Sequence, residues 1–494
     1  VVKLGRKSGV LMPIFSLPSP FGIGTFGKEA YEFIDFLKEA GQSYWQILPL
    51  NPTSYGDSPY QSFSAFALNP LFIDFPDLCQ KGLLTKYELR NSGLVNNPDK
   101  VDYGNLYESV FPLLRKAVAR VDEKHSEFLE FLEDEKYWLD DYSLFMAIKG
   151  HNDMHPIWKW DDDVRLGKDE TLNHLREVFA SDIHFWSVVQ FLLADQWSRV
   201  KSYGEDKGIS IIGDMPIYVS ADSVDFWAHE DLFLVDENRR IRQVAGCPPD
   251  DFCLQGQRWG NPLYRWQAHK KGGYKWWIQR FLSAQKNYHG VRFDHFRGLA
   301  GYYAIPADGD TGEDGIWEDG PGMDFIQTIQ RELPTYLIIA ENLGHLTKDV
   351  DRLLKESGLP GMKVLQFAFE PGKDSIYLPH KYEKNCVVYT GTHDNNTLKG
   401  WVMNASPDEM EMALKYSGAT EKEQLPHKLI QLAMESNADL CIIPIQDWLG
   451  LGQEARINIP GSSQGNWVYR VRQEQLKAEL AERIFKRSNN AGRV

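Results

Sequence analysis

The sequence predicts an α/β protein: a (β/α)8 TIM barrel with a large, mostly helical insertion and long loops over the C-terminal face of the barrel. Three observations predict it. Four stretches, GDMPIYV (213–219), VRFDHFRG (291–298), LIIAENLG (337–344) and VVYTGTHDNN (387–396), each join an apolar run to an acidic residue: Asp214, Asp294, Glu341 and Asp394. Strand-like and helical patterns alternate after residue 208. Between 75 and 207 that alternation gives way to long, charged, helical patterns. A short apolar run bounded by polar residues reads as a buried strand. A carboxylate directly after it is costly to bury, so it belongs at the strand's open end. Four strands delivering four carboxylates to one rim is the arrangement of a barrel's active face.

The elements follow in order. A helix over about 28–40 places Ala30, Phe33, Ile34 and Leu37 at helical spacing, with Gly41 as its C-terminal cap. YWQILPL (44–50) reads as the first barrel strand, and a second is expected near 71–75. LYESVFPLLRKAVARV (106–121), HSEFLEFLEDEKYWLDDYSLFMAIK (125–149) and HFWSVVQFLLADQWSRVKSYG (184–204) read as helices, the last returning the chain to the barrel. Six further strands near 209–216, 291–296, 336–342, 363–369, 387–394 and 440–445 complete eight. The barrel thus takes residues 1–74 and 208–494, and the insertion 75–207. Two long Gly/Pro-rich loops remain. AGCPPDDFCLQGQRWGNPLY (245–264), with Phe252 and Trp259, is expected to clasp a substrate. The acid-rich ADGDTGEDGIWEDGPG (307–322) is expected to be a solvated excursion.

Composition narrows the function. The formal net charge of −15 argues against nucleic-acid binding, which needs phosphate neutralisation. No apolar stretch approaches the roughly 18 residues of a membrane span. The N-terminal VVKLGRKSGV lacks the apolar core of a secretory signal, although a start at Val leaves room for a removed targeting segment. Cys79, Cys247, Cys253, Cys386 and Cys441 are odd in number and form no CxxC, so a reducing compartment and no zinc site are expected. The 15 Trp, 22 Tyr and 26 Phe suit either core filling or stacking on sugar rings.

Carboxylates without a phosphate loop or metal cluster point to glycosidic chemistry. Asp294 is the candidate nucleophile. Arg292, two residues earlier on the same strand, shares its face and would keep it ionised; a purely structural ion pair is the alternative. Glu341 reaches further than an Asp and suits proton delivery, with a pKa raised by a less polar setting and neighbouring carboxylates. His393 and Asp394 could bind sugar hydroxyls and favour a distorted ring, or together hold a metal. Rival motifs fail in context. GIGTFG (22–27) matches GxGxxG, but the Pro-rich SLPSPF before it is no strand. GxSxG, the P-loop and HExxH are absent. The sequons at Asn395 and Asn404 have no secretory context.

At these residues the chain resembles the 4-α-glucanotransferases called amylomaltase or disproportionating enzyme, glycoside hydrolase family 77. The likeness runs nearly end to end. SGVLMPIFSLPSPFGIG, NPTSYGDSPYQSFSAFALNP (51–70), GDMPIYV, AGCPPDDF…GQRWGNPLY, VRFDHFRG, IAENLG, TGTHDNNT and ARINIPGSSQGNW (455–467) follow in that family's order. The resemblance implies Asp294 as nucleophile, Glu341 as acid/base and Asp394 as transition-state stabiliser. It implies glucan contacts from Ser58, Tyr60, Asp214, Trp259, Arg292, His295, His393 and Asn458. The 245–264 loop resembles the family's cover over the acceptor region; Cys247 and Cys253 depart from many relatives there, which bears on loop mobility rather than chemistry. Donors would be malto-oligosaccharides and α-1,4-glucans, and acceptors glucose or glucans. No cofactor, metal, nucleic acid or membrane is implied. A hydrolytic α-amylase-like glycosidase is the nearest alternative, and a non-catalytic glucan-binding protein the more distant one. The expected location is cytoplasmic, or the plastid stroma after removal of a transit peptide.

Overall fold

The computed structural model describes residues 4–249, 254–344, 346–372, 375–462 and 464–494. Its strands, in chain order, are β1 (Lys7–Leu11), β2 (Tyr44–Gln46), β3 (Ser210–Met215), β4 (Gln243–Cys247), β5 (Gln257–Pro262), β6 (Gly290–Phe293), β7 (Gly301–Pro306), β8 (Ile316–Asp319), β9 (Leu337–Ala340), β10 (Gly361–Val364), β11 (Cys386–Tyr389) and β12 (Leu440–Pro444). Eight of them, β1, β2, β3, β6, β9, β10, β11 and β12, form a closed parallel barrel in that order, β12 pairing back onto β1. The expected (β/α)8 barrel is therefore the fold.

Three strand expectations need correction. The segment 71–75 is no strand. Pro70–Phe72 is a 3-10 turn whose Leu71 N–H is taken by the Asn69 side chain, and Asp74 caps the helix Phe75–Gln80. Local capping by Asn69 and Asp74 outweighs the apolar run. The missing strand is β1, whose KSGVL has only two large apolar residues. Its Gly9 is required by close packing: a Cβ there would lie 2.6 Å from the Tyr44 carbonyl oxygen. The 363–369 segment is also shorter as a strand than expected, since Leu365–Phe369 turns into a 3-10 helix, and the strand expected near 387–394 ends at Tyr389, leaving His393 and Asp394 on a loop.

The insertion is helical, as its pattern predicts. Tyr103–Val118, Ser126–His151 and Ala180–Lys207 are its long helices. The last packs on Ser126–His151 and on Lys28–Glu39 before leading into β3. Its Gln190 bridges the backbone N–H and C=O of Leu68 at 2.8 Å each, and its Gln196 does the same at Asp74. Lys28–Glu39 buries Ala30, Phe33, Ile34, Phe36 and Leu37. Each large apolar side chain so buried stabilises by about 1.5–3 kcal/mol.

The two long loops fold into a second sheet of order β5-β4-β7-β8, with antiparallel pairs. β4 and β5 belong to the connection after β3, and β7 and β8 to the connection after β6. Both connections leave the C-terminal ends of barrel strands, so the sheet stands on the carboxylate side. The acid-rich loop is thus partly structured through β8, rather than wholly a solvated excursion. Phe252 and Cys253 lie outside the described residues.

At the opposite end the starts of β1 and β12 are tied together. Arg493 is fully buried and donates to the carbonyls of Met434, Lys7, Asp439, Ser436 and Ala438 at 2.6–3.1 Å. Among the described residues no helix is long and apolar enough to cross a membrane.

Candidate active site

The register of the barrel assembles the site. Asp214 on β3 lies directly opposite Arg292 on β6. Their side chains point the same way, and Arg292 Nη1 donates to both Asp214 oxygens at 2.9 and 2.8 Å. Arg292 Nη2 lies 2.8 Å from Asp294 Oδ1. One guanidinium thus bridges a buried carboxylate and a cleft-facing one, whose side chain is 26% exposed. Burial opposes the charge on Arg292, but Asp214 and Asp294 outweigh it and raise its pKa. Tyr60 O–H also donates to Asp214, at 2.8 Å.

Asp294 and Glu341 each sit one residue past a strand, and the ladder continues through them. Asp294 N–H donates to Met215 O, and Glu341 N–H to Phe293 O, both at 3.0 Å. The turn after Asp294 is sharp. His295 adopts φ 53° and ψ 47°, a left-handed conformation that few non-glycine residues take. That conformation aims the His295 N–H at Glu341 Oε2, 2.7 Å away. Leu343 N–H donates to Glu341 Oε1 at 2.9 Å. Burial is the largest influence on Glu341 and, with Asp294 nearby, raises its pKa to about 7, although Arg292 and the two backbone donors pull the other way.

Asp394 has the opposite setting. His393 Nε2 lies 3.3 Å from its Oδ2, and Asn458 Nδ2 donates to its Oδ1 at 2.6 Å. Burial resists ionisation, yet His393, Asn458 and Arg292 together hold its pKa well below the usual carboxylate range. Two acids on one rim are therefore tuned apart: Glu341 towards the proton-bearing form, Asp394 firmly towards the anion. This division of labour suits acid–base glycoside chemistry.

Aromatic rings line the same cleft. Tyr60 stacks on His393 with centroids 5.1 Å apart, and Trp467 lies 5.7 Å from Tyr60. Trp259, on β5 of the second sheet, meets His295 edge-on at 4.7 Å. Burial lowers the His295 pKa to about 4, so its imidazole is neutral near pH 7. The buried atoms His295 Nε2, His393 Nδ1 and Arg292 Nε have no hydrogen-bond partner among the described residues. Buried polar atoms of that kind are what a hydroxyl-rich ligand would satisfy.

The structure gathers Tyr60, Asp214, Arg292, Asp294, His295, Glu341, His393, Asp394, Asn458 and Trp259 around one cleft. Ser58 is different. Its Oγ accepts the Tyr60 N–H at 3.3 Å, which shapes the turn that presents Tyr60. Asn458 turns its side-chain amide onto Asp394. Arg456 and Trp467 escaped the sequence reading. Arg456 Nη2 donates to the Asp394 carbonyl at 2.7 Å, and its Nε to Asn458 O at 2.8 Å. Both lie inside ARINIPGSSQGNW, where a cation two residues before Asn458 was the available signal. Among the described residues no group of three or more His, Cys, Asp or Glu side chains is placed to hold a metal ion.

Such a barrel, with oppositely tuned acids and sugar-sized aromatic walls on its C-terminal rim, belongs to the class of carboxylate-dependent enzymes that remodel glycosidic bonds. Comparison with known proteins narrows that class. The family model described as 4-alpha-glucanotransferase matches residues 12–476. A 4-alpha-glucanotransferase of Clostridium butyricum is 45% identical over 98% of this chain and 100% of its own length. One from Thermus thermophilus is 44% identical over 98% of each chain. The solved structure of a Streptococcus agalactiae amylomaltase in complex with acarbose superposes with a TM-score of 0.96 at 40% identity, covering 99% of both chains. The chain belongs to the 4-α-glucanotransferase family, glycoside hydrolase family 77.

Proposed function

We propose that this glucanotransferase moves α-1,4-glucan segments between malto-oligosaccharides by double displacement, with Asp294 as nucleophile and Glu341 as acid/base. The observation that carries this reading is the Glu341 carboxyl, buried, raised to about pH 7 and hydrogen-bonded to the residue that follows Asp294. An Asp294 oxygen attacks the anomeric carbon while the Glu341 proton passes to the departing glycosidic oxygen. The shortened glucan leaves with a free 4-hydroxyl, and a glucosyl ester remains on Asp294. The 4-hydroxyl of an acceptor then gives its proton to ionised Glu341, its oxygen takes the anomeric carbon, and Asp294 is released. Asp394 and His393 are placed to hold hydroxyls of the transferred sugar and to stabilise positive charge at its ring. Trp259 stands over His295 at the side where an acceptor would enter and favours a stacked sugar over water.

Glucose and short glucans are the proposed acceptors, with longer malto-oligosaccharides as donors. The buried free thiols of Cys386 and Cys441 suit a reducing compartment such as a cytoplasm or plastid stroma. The test is incubation with maltotriose alone. Glucose together with maltotetraose and longer chains is the expected product set. Glucose and maltose in equal amounts, with nothing longer, would make water the acceptor and overturn the reading.

A further inference from the structure

Asp394 depends on a loop, and that loop is pinned from outside by one buried acid. Asp447 follows β12 on the short helix Ile445–Leu449 and is 4% exposed. Its Oδ2 accepts from Thr390 Oγ1 at 2.6 Å, and its Oδ1 from the Leu398 N–H at 2.7 Å. Thr390 directly follows β11, and Leu398 opens the helix Leu398–Asn404. Asp447 therefore ties together the two ends of the segment 391–397, which presents His393 and Asp394. Within the segment, Asn395 Oδ1 accepts from Thr392 N–H and Thr392 Oγ1 at 2.8 and 2.9 Å, making a tight internal turn. That turn fixes the loop's shape, and Asp447 fixes where it stands.

The neighbouring side chain serves the other support of Asp394. Gln446 Nε2 donates to the Ala455 carbonyl at 3.2 Å, just ahead of Arg456 and Asn458, which grip the Asp394 carbonyl and carboxylate. Two consecutive residues thus hold both segments that hold Asp394. Among the described residues this buried carboxylate is paired with a hydroxyl and a backbone N–H and with no cation, which is an expensive way to fasten a loop. Placement at a helix N-terminus recovers part of that cost.

We propose that Asp447 is a positioning residue for Asp394, acting through Thr390 and Leu398. The proposal rests on the reading of Asp394 as the carboxylate that stabilises the transition state. Misplacement of such a group by about 1 Å can slow the reaction on the order of 100-fold without touching ground-state binding.

The test measures kcat and KM with maltotriose for D447A, D447N, T390V, T390S, D394N and the double variant D394N/D447A, with thermal melting as a folding control. D447A is expected to lower kcat about 100-fold with KM within about 3-fold of the parent. D447N should stay close to the parent, because its Nδ2 can donate to Thr390 Oγ1 while its Oδ1 still accepts from Leu398. T390V, which removes one bond and keeps the shape, should lower kcat about 10-fold, and T390S should restore it. D394N/D447A should be no slower than D394N, since a misplaced group that is already disabled has nothing further to lose. Parent-like kcat in both D447A and T390V, or losses that multiply in the double variant, would overturn the proposal. A D394N enzyme with full kcat would instead remove the reading of Asp394 on which it rests.

Discussion

The backbone N–H of His295 is hydrogen-bonded to Glu341 Oε2 at 2.7 Å, so the residue that follows Asp294 holds Glu341. The left-handed backbone at His295 is what makes this bond possible. The proposed nucleophile and proton donor are thereby set by one turn, and a change in either strand end moves both.

The first prediction concerns pH. As the proposed acid, Glu341 must carry a proton when the donor glycosidic bond breaks, and its pKa is raised to about 7. The rate of the first step should therefore fall as pH rises through about 7. Single-turnover rates from pH 5 to about 9 would measure it. A flat profile through neutrality would assign the proton to another group.

Stability should respond in opposite directions at the two tuned acids. The folded pKa of Glu341 is above its ordinary 4.5, so its ionisation works against folding, increasingly from pH 4.5 to about 7. Glu341→Gln should therefore melt higher than the parent above pH 7, with the gain vanishing below pH 4.5. The folded pKa of Asp394 is below its ordinary 3.8, so its ionised form supports folding above that pH. Asp394→Asn should melt lower than the parent at neutral pH, with the deficit shrinking as pH falls below 3.8. Melting curves across this range compare the two; shifts of the same sign would contradict the assignment.

Glu341→Gln should also trap the intermediate. With a glucosyl fluoride donor the first step needs no proton from residue 341, whereas the second step has lost its base. Mass spectrometry of proteolytic fragments should then find a glucosyl increment on the peptide containing Asp294. An increment on a different carboxylate would reassign the nucleophile.

Trp259→Ala should shift products from transfer towards hydrolysis by up to about 10-fold, because losing an aromatic face under a sugar ring costs a polyhydroxylated acceptor on the order of 1 kcal/mol and costs water nothing. Reducing-sugar release against chain-length redistribution gives the ratio. An unchanged ratio would remove Trp259 from acceptor choice.

Arg292→Met leaves Asp214 buried without its cation and should destabilise the fold by about 3–5 kcal/mol. The double variant Arg292→Met with Asp214→Asn should regain a clear part of that loss, since the uncompensated charge is gone. Chemical denaturation of the three proteins measures the coupling. Losses that simply add would mean that the 2.8 Å contact carries no linked charge.

Asp294 and Glu341 were legible in the sequence because each directly follows a short apolar run, and their rim position follows from the cost of burying a charge, whereas Asp214 lies buried within β3 and Asp394 on the loop past β11. Arg292 was legible from its two-residue spacing to Asp294. β1 was not, because Lys7, Ser8 and Gly9 carry no apolar signal and its strand character comes from pairing with Leu440 and Tyr44, far away in the chain. The 71–75 segment misled because an apolar run says nothing of the caps at Asn69 and Asp74 that bend it. The second sheet was hidden by glycines and prolines, whose turn signals mask the pairing of Gln243 with Pro306. Arg456 and Asp447 act on distant backbone, and a buried polar residue reveals its partner only once the chain is folded.

The clasp at Arg493 has a bearing on how the molecule is made. β1 and β12 lie far apart in the sequence, yet each completes the other. Until they meet, the growing sheet presents two raw borders, the places where strands of strange chains attach. Arg493 then latches the carbonyls of Lys7 and Asp439 together. The folding chain is therefore exposed to aggregation until these sequence-distant strands meet, and a helper that shields those borders would raise its yield more than any repair of the finished core.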